Sequence, residues 1–340
     1  MNNQLSLIAT ALVIPIASAA CATEPEAASL SNIRQVTFAS MGLKQAGEGY
    51  FSPDGRTIIF QAVPDGQEHY QIYTLVLGDS TPKMVSTGKG ECTCAYFRPD
   101  GRKIMFASSH LDPRLKDGAN PAPPQGASGS GKYTWHKNPH MDIFEADPDG
   151  SNLKRLTDAD GYDAEGSYSP DGQQIVFASD RTGSMEIYLM KADGTDVRRL
   201  TETNEVYNGG PFISPDGKRI IYRADPQEKD YLQVFMMDID GGNRVQLTDE
   251  PRVVNWAPFW HPNGKTIVFT SSGLRHTYEL SLLNVETRQR VALTDHPKAD
   301  VLPVFSPDGK RLMWTAKRSA DGSSQLFIAD FKLPDGFGGR

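Results

Sequence analysis

A turn tetrad that recurs six times is the feature of this 340-residue sequence that most restricts its fold. Ser-Pro-Asp-Gly occurs four times, and the variants Arg-Pro-Asp-Gly and His-Pro-Asn-Gly occur once each. The copies are Ser52–Gly55, Arg98–Gly101, Ser169–Gly172, Ser214–Gly217, His261–Gly264 and Ser306–Gly309. Their first residues are 46, 71, 45, 47 and 45 residues apart. Four of these steps match the length of one four-stranded propeller blade, and the remaining step is longer by one insertion.

Each tetrad has the chemistry of a tight turn between two β-strands. Pro sets the φ angle of the first central turn position, Asp or Asn bonds to its own backbone, and Gly adopts a positive φ. The flanking residues are rich in strand-forming types, as in 165–180. A third strand follows, such as Glu186–Asp193, and then a short fourth strand that ends in Thr, such as Arg198–Thr201. The repeating unit therefore has four strands, designated A to D from the propeller axis outward.

The number of strands predicts how the ring closes. The sixth unit ends at its third strand, Gln325–Phe331, and no fourth strand follows it. A fourth-strand motif, Ile33–Thr37, instead precedes the first unit. Pairing these two segments closes the ring and removes an exposed sheet edge, which would otherwise favour aggregation. The sequence thus predicts an all-β fold, a six-bladed β-propeller over residues 33–331 that is closed by the N-terminal strand.

The segments outside the propeller predict export. Residues 5–20 are apolar, are too short to span a bilayer comfortably and end in small residues, which is typical of a cleaved signal peptide. Cys21 stands where a bacterial lipoprotein carries its acylated cysteine, although Ser18 replaces the leucine that is usual three positions earlier. Both a soluble periplasmic protein and a protein anchored to the outer membrane by a lipid on Cys21 remain open. The predicted segments are a signal peptide (1–20), a linker (21–32) and a C-terminal tail (332–340).

Composition argues against two classes of protein. The formal net charge is -7, and the chain has no block of Lys and Arg, which argues against nucleic-acid binding. Three cysteines in 340 residues exclude a disulfide framework. Cys92 and Cys94 are two positions apart on a predicted strand, so we expect their side chains on the same side, as buried thiols.

The repeat resembles the TolB-like (PD40, WD40-like) β-propeller repeat of bacteria. The resemblance rests on the Ser-Pro-Asp-Gly turn, the third-strand motif Ile187–Gly194 and the Arg-Leu-Thr ending at Thr201, and it covers about residues 33–331. It implies a periplasmic scaffold to which partner proteins dock at the channel mouth. The α/β domain that precedes the propeller in TolB is not expected, because only about a dozen residues separate the predicted cleavage site from the first strand. The sequence also lacks the Gly-x-Ser-x-Gly motif of hydrolase domains.

Polar residues just before the tetrads predict a ligand-binding rim. Residues that enter strand A of a propeller lie beside the central channel, on the face that carries the D–A and B–C loops. We expect the residues six and four positions before each tetrad to lie on the same side of strand A, because side chains alternate along a strand. The candidate ligand-binding residues are Glu48, Asp163, Glu165, Asn208, Asn255 and Asp300. Such a rim suits a cation, a basic peptide or sugar hydroxyls; alternatively, these groups bond to neighbouring backbone amides and line a wet channel.

The long step between the second and third tetrads predicts an insertion loop. The loop, residues 110–140, lies between strands B and C of blade 2, on the same face as the rim, and long loops at such a place often bind ligands. Tyr133 and Trp135 are candidates to stack on a sugar or a peptide. Pro139 excludes a helical His-x-x-x-His pair of the metalloprotease kind. The candidate metal ligands are His110, His136 and His140, and the alternative is a packed loop with incidental histidines.

These features together favour a periplasmic protein- or ligand-binding scaffold over an enzyme. The expected partner is an envelope protein, or a peptide or saccharide ligand, at the channel mouth. Nucleic acid is not expected, and contact with a membrane is expected only through a lipid on Cys21. No cofactor is predicted, although the acidic rim suits a bound cation. The alternative is a metal-dependent lyase or hydrolase of the propeller type that acts on a saccharide or a peptide.

Overall fold

Six four-stranded antiparallel sheets build the molecule. The computed structural model describes residues 24–117, 137–203, 206–225, 231–273 and 277–337. In five sheets the four strands follow one another along the chain, and in the sixth the first strand of the chain pairs with the last. The six-bladed β-propeller predicted from the repeat is therefore confirmed.

The strands form the blades in chain order. The described chain opens with α1 (Glu24–Ser29) and β1 (Leu30–Gln35). Blade 1 contains β2 (Leu43–Phe51), β3 (Thr57–Pro64), β4 (Gln71–Val76) and β5 (Lys83–Met84). Blade 2 contains β6 (Cys92–Phe97), β7 (Ile104–Ser108), β8 (Asp142–Ala146) and β9 (Lys154–Arg155). Blade 3 contains β10 (Asp163–Tyr168), β11 (Gln174–Ser179), β12 (Glu186–Lys191) and β13 (Arg198–Arg199).

The other three blades repeat this plan. Blade 4 contains β14 (Asn208–Ile213), β15 (Arg219–Ala224), β16 (Gln233–Asp238) and β17 (Val245–Gln246). Blade 5 contains β18 (Asn255–Trp260), β19 (Thr266–Ser271), β20 (Glu279–Asn284) and β21 (Arg290–Ala292). Blade 6 contains β22 (Asp300–Phe305), β23 (Arg311–Ala316), β24 (Gln325–Phe331) and, as its outermost strand, β1. Short 3-10 helices cover Ala39–Met41 and Pro113–Asp117.

The N-terminal strand closes the ring, as predicted. Strand β1 pairs antiparallel with β24, from Leu30 opposite Phe331 to Gln35 opposite Phe327. It begins three residues earlier than the predicted Ile33, because the side chain of Leu30 is buried in the apolar core of blade 6. The last residues of the predicted linker therefore belong to the sheet, and α1 precedes them.

A buried ion triad fastens the segment before β1 to blade 6. Arg318 donates to the Glu26 carboxylate at 2.6 Å and, through Nε, to the Asp300 carboxylate at 2.8 Å. All three side chains are at least nine-tenths shielded from solvent. Because removing one member of such a group leaves a buried charge without compensation, the triad holds the N-terminal segment in place.

The predicted C-terminal tail also packs on the propeller as far as the structure describes it. The Lys332 amide donates to the Ser29 carbonyl at 3.0 Å. The Phe337 side chain is completely buried beside the cores of blades 5 and 6. The tail thus lies next to the N-terminal segment and covers the seam at which the ring closes.

Strand B, the second from the axis, supplies the centre of every blade. An aromatic residue stands eight positions after the start of each tetrad, and each is at most 2% exposed. These residues are Phe60, Phe106, Phe177, Tyr222, Phe269 and Trp314. Burying one such side chain stabilises the fold by about 1.5–3 kcal/mol. An aromatic residue at the same position in every blade contributes to an apolar core between each pair of neighbouring sheets.

The tetrads form the turns that their chemistry predicts. In the first copy, the Ser52 hydroxyl donates to the Asp54 carboxylate at 2.6 Å, and Asp54 accepts from the Arg56 amide at 3.0 Å. Gly55 has a φ of 67°, in the left-handed region. Bonds of the same kind recur in the third, fourth and sixth copies. The aspartates of these turns are thus engaged by their own loops.

Candidate functional site

A bulge in strand A changes which side chains face the channel. The residue four positions before each tetrad has a positive φ, between 46° and 57°. These residues are Glu48, Cys94, Glu165, Gly210, Ala257 and Leu302. In blade 3, Ala164 pairs with Ala178 and Ser167 with Val176, so two residues of strand A oppose a single residue of strand B. Such a bulge interrupts the alternation of side chains. The prediction that the residues six and four positions before the tetrad lie on the same side is therefore wrong.

The residues six positions before the tetrads are buried and form hydrogen bonds within a blade or to the preceding blade. Asp163, Asn208, Asn255 and Asp300 are at most 1% exposed. Asp163 accepts from Arg181 at 2.8 Å, and the Asn255 amide donates to Gln233 of the preceding blade at 3.0 Å. The Trp314 indole donates to Asp300 at 3.0 Å. Four of the predicted rim residues are thus buried structural groups and do not form a rim.

The residues four positions before the tetrads surround a small cavity on the axis, which we call the channel pocket. Its volume is about 50 Å³, which is room for a few water molecules. Its polar lining consists of Glu48, Tyr50, Cys94, Glu165 and Arg223. Its apolar lining on the other side includes Ala257, Phe259, Leu302 and Val304. Blades 1 to 4 therefore supply the polar groups, and blades 5 and 6 supply an apolar wall.

One predicted rim residue, Glu165, is held in a buried cluster at the wall of the channel pocket. Arg223 donates to the Glu165 carboxylate at 2.6 Å and to the Tyr207 hydroxyl at 2.8 Å. The Gly210 amide also donates to Glu165, at 2.6 Å. A Cβ atom on Gly210 would overlap the guanidinium of Arg223. The cluster therefore depends on a glycine in strand A of blade 4, a position where blades 5 and 6 carry Ala257 and Leu302.

The other predicted rim residue in the channel pocket, Glu48, is less constrained. Its side chain is partly exposed, and it has no ion-pair partner among the residues that the structure describes. The Tyr50 hydroxyl lies 3.4 Å from the carboxylate. Burial raises the pKa of Glu48 to about 7, and the negative charge of Glu165 contributes to the same shift. A carboxyl group in this environment changes its charge near neutral pH.

The two strand cysteines point in different directions, contrary to the prediction of a shared side. Cys92 is completely buried, its thiol lies 3.1 Å from the Ser108 hydroxyl on the neighbouring strand, and burial raises its pKa to about 11. Cys94 lines the channel pocket, and burial, with the charges of Glu48 and Glu165, raises the pKa of its thiol well above the usual value. Both thiols are free. The bulge separates the directions of the two side chains, because Cys94 is one of the two bulged residues and has a positive φ.

Four aromatic rings close the channel beneath the pocket. The rings of Tyr50, Tyr96, Phe212 and Phe259 lie with centroids 5.0–6.1 Å apart, which is the range of favourable aromatic contact. Beyond them, toward the tetrads, is a wider apolar cavity of about 300 Å³. Its lining includes the proline of every tetrad: Pro53, Pro99, Pro170, Pro215, Pro262 and Pro307. This cavity was not predicted from the sequence, because the tetrads indicate turns. The constant spacing between the tetrad prolines and the aromatic residues before them is the sequence feature that corresponds to it.

A second repeated constellation was also missed. Strand C of each blade starts with Gln71, Asp142, Glu186, Gln233, Glu279 or Gln325. In five blades a Ser or Thr stands 15 positions later, and its hydroxyl oxygen accepts from the second amide of strand C. In blade 6 the hydroxyl comes from Thr37, which accepts from the Leu326 amide at 2.8 Å. The constant spacing is the indication in the sequence, and the bonds hold strands C and D together.

The insertion loop is only partly described. Tyr133, Trp135 and His136 lie outside the described residues. The His110 ring lies 2.9 Å from the Ser108 hydroxyl and contacts the Phe144 ring at a tilted angle, with centroids 4.4 Å apart, and burial lowers the pKa of His110. His140 Nε2 lies 3.8 Å from the Asp112 carboxylate. In the part of the chain that the structure describes, no three His, Cys, Asp or Glu side chains are grouped so as to hold a metal ion.

Comparison with known proteins agrees with the repeat and the fold. Residues 116–272 match the PD40 family, the TolB beta propeller domain. The chain is a β-propeller that is similar to TolB propellers. An uncharacterized protein of Agrobacterium fabrum is 32% identical over 51% of this chain and 63% of its own length. The Tol-Pal system protein TolB of Bordetella pertussis is 47% identical over 14% of this chain and 11% of its own length. The chain thus spans less than two thirds of these relatives.

Solved structures share this propeller fold. A TolB-like protein of Agrobacterium tumefaciens superimposes with a TM-score of 0.60 at 20% identity, over 90% of this chain and 98% of its own. An oligogalacturonate lyase in complex with manganese superimposes with a TM-score of 0.52 at 16% identity, over 91% of this chain and 97% of its own. At these identities the likeness concerns the fold alone. Among the described residues, no helix has the length and apolar character to cross a membrane.

Proposed function

We propose that this TolB-like propeller is an exported, periplasmic binding scaffold that takes a cationic group of a protein or peptide partner into the channel pocket. The channel pocket carries the proposal, because it is the place on the axis where the blades differ. Turns, core aromatics and strand C bonds repeat around the ring. The pocket residue four positions before each tetrad instead differs between blades, and is Glu, Cys, Gly, Ala or Leu. A repeated surface cannot orient a single ligand, and a non-repeated one can.

The charges of the channel pocket favour a cation. Glu48 and Glu165 face one guanidinium, that of Arg223, which is bound to Glu165. The ionised pocket therefore has an excess of one negative charge, and carboxylates in a low-dielectric channel attract cations. The apolar wall at Ala257 and Leu302 can contact the alkyl part of a lysine side chain. A lysine or a peptide amino terminus fits both halves of the lining.

The sequence and the relatives support a periplasmic location. Residues 1–20 have the pattern of a signal peptide, and TolB of Bordetella pertussis is a Tol-Pal system protein. The mass of the intact protein made in a Gram-negative host tests this part. We expect cleavage after Ala19 or Ala20, with a diacylglycerol on Cys21 if the protein is a lipoprotein. Retention of Met1 would contradict export by cleavage.

Capture from envelope extracts tests the site. The wild-type protein, Glu48→Gln and a double variant at the opposite face, Lys218→Gln with Lys310→Gln, are compared by quantitative mass spectrometry. We expect Glu48→Gln to reduce the captured partner and the salt dependence of capture, because the excess charge of the channel pocket is lost. Equal melting temperatures must show that the variants are folded. Loss of capture in the lysine variant alone would place the site on the other face.

A further inference from the structure

Glu48 is the charged group of the channel pocket that other groups do not neutralise. The carboxylate of Glu165 is saturated by Arg223, the Gly210 amide and the Tyr207 hydroxyl. Glu48 instead faces two uncharged groups, the Tyr50 hydroxyl at 3.4 Å and the Cys94 thiol. Its own amide is bound to Thr315 at 3.0 Å, which fixes the backbone beneath it. The backbone of this strand is therefore held in place, while the carboxyl group lines the pocket and stays accessible.

The groups that face Glu48 from every side set its charge. They are Tyr50 on β2, Cys94 on β6, Tyr162 and Glu165 from blade 3, and Arg223 on β15. Strands β18 and β22 contribute only uncharged residues to the channel pocket. Burial and Glu165 favour the protonated form of Glu48, and contacts with Cys94, Arg223 and Tyr50 oppose this less strongly, which places its pKa at about 7. No other cation reaches the carboxylate among the described residues.

We propose that the proton on Glu48 switches the channel pocket between two charge states, and that only the deprotonated state binds a cationic group. The inference rests on the proposed function and adds its regulation. When Glu48 is protonated, the opposite charges of Glu165 and Arg223 cancel, and the pocket has no net charge. With Glu48 ionised, one negative charge faces a space of about 50 Å³. Mild acidification therefore releases the ligand, and ligand binding releases a proton.

The experiment uses n-butylammonium as the probe, because it imitates a lysine side chain and, like lysine, stays charged at pH 5.5 and 8.5. Binding is followed by NMR through the methyl signals of Ala257 and Leu302, which line the channel pocket. With a pKa of about 7, only about 3% of Glu48 is ionised at pH 5.5, so the apparent Kd is expected to be about 30-fold weaker than at pH 8.5. In Glu48→Gln the Kd should be weak and the same at both pH values.

Glu202→Gln is the matched control, because the side chain of Glu202 is 76% exposed and lies away from the channel pocket. This variant should keep the wild-type pH dependence. Equal Kd values at both pH values in the wild type would overturn the switch and leave the pocket assignment standing. A pH dependence that survives Glu48→Gln would overturn it too, since another group would then be responsible. Absence of binding at both pH values would overturn the switch and the proposed function together.

Discussion

At the scale of single residues, the bulge in strand A determines which side chains line the channel. The tetrads and the core aromatics follow from the sequence, because Pro, Asp and Gly have strong turn preferences and the apolar pattern repeats. The bulge could not be predicted from the sequence, because Glu48 and Leu302 adopt a positive φ at positions where a glycine would have indicated a bulge. Strict alternation therefore assigned Asp163 and Asp300 to the rim, whereas the structure buries both.

Gly210 offers a test at this scale. Gly210→Ala should lower the free energy of unfolding by about 2–3 kcal/mol, because the added methyl overlaps the Arg223 guanidinium and displaces it from Glu165. Gly217→Ala is the control, since Gly217 also has a positive φ but a methyl group added there would meet no atom within 4 Å. It should cost about 1 kcal/mol. Urea unfolding measures both, and equal losses would show that the Arg223 contact has no special weight.

At the scale of strands, the start of strand C recurs with different chemistry in each blade. Glu186 is ionised in place: burial opposes its charge, but hydrogen bonds from Thr201, from the Thr203 amide and from Arg199 outweigh burial and lower its pKa. Glu279 accepts from Thr294, and burial raises its pKa to about 7. Three of the six equivalent positions carry Gln. The sequence alone aligns these positions by their spacing. It does not show which carboxylate at the start of strand C forms an ion pair.

This contrast predicts opposite effects of the same substitution. Because the pKa of Glu279 is raised, its contribution to stability is lost as the pH rises from about 4.5 to about 7. Glu279→Gln should therefore raise the melting temperature at pH 8, by about 2 °C or more, and have little effect at pH 4.5. Glu186→Gln should lower the melting temperature at pH 8. The loss should be smaller in acid, because protonation of Glu186 in the wild type removes the stabilising charge there. Thermal unfolding at both pH values checks this; a loss at pH 8 for both variants would contradict it.

At the scale of the whole molecule, ring closure and the channel are linked. The predicted pairing of the first and last strands is present, and the buried triad of Glu26, Arg318 and Asp300 adds to it. The strand count was sufficient to predict the pairing. The triad was not predictable, because Glu26 lies in a segment with no repeat partner. Strand A of blade 1, which carries Glu48, is joined to blade 6 by the hydrogen bond from the Glu48 amide to the Thr315 hydroxyl.

Removal of the closing strand tests this dependence. Deletion of Ser31–Thr37 should expose the edge of β24 and cause aggregation or a large fall in the melting temperature. The control weakens an ordinary fourth strand: glycine at Lys83 and Met84 of β5, both exposed, should have a much smaller effect. Calorimetry and light scattering give the comparison. A deletion variant that melts at the parent temperature would contradict closure by β1.

We infer that the partner enters the channel from the face that carries Glu48. Photo-cross-linking in intact cells tests it directly, with a benzophenone amino acid placed at Leu302 in the channel pocket or at Pro307 in the tetrad-face cavity. We expect a partner adduct from position 302 that weakens in the Glu48→Gln background, and none from position 307. An adduct from position 307 that is indifferent to Glu48, with none from position 302, would contradict the account.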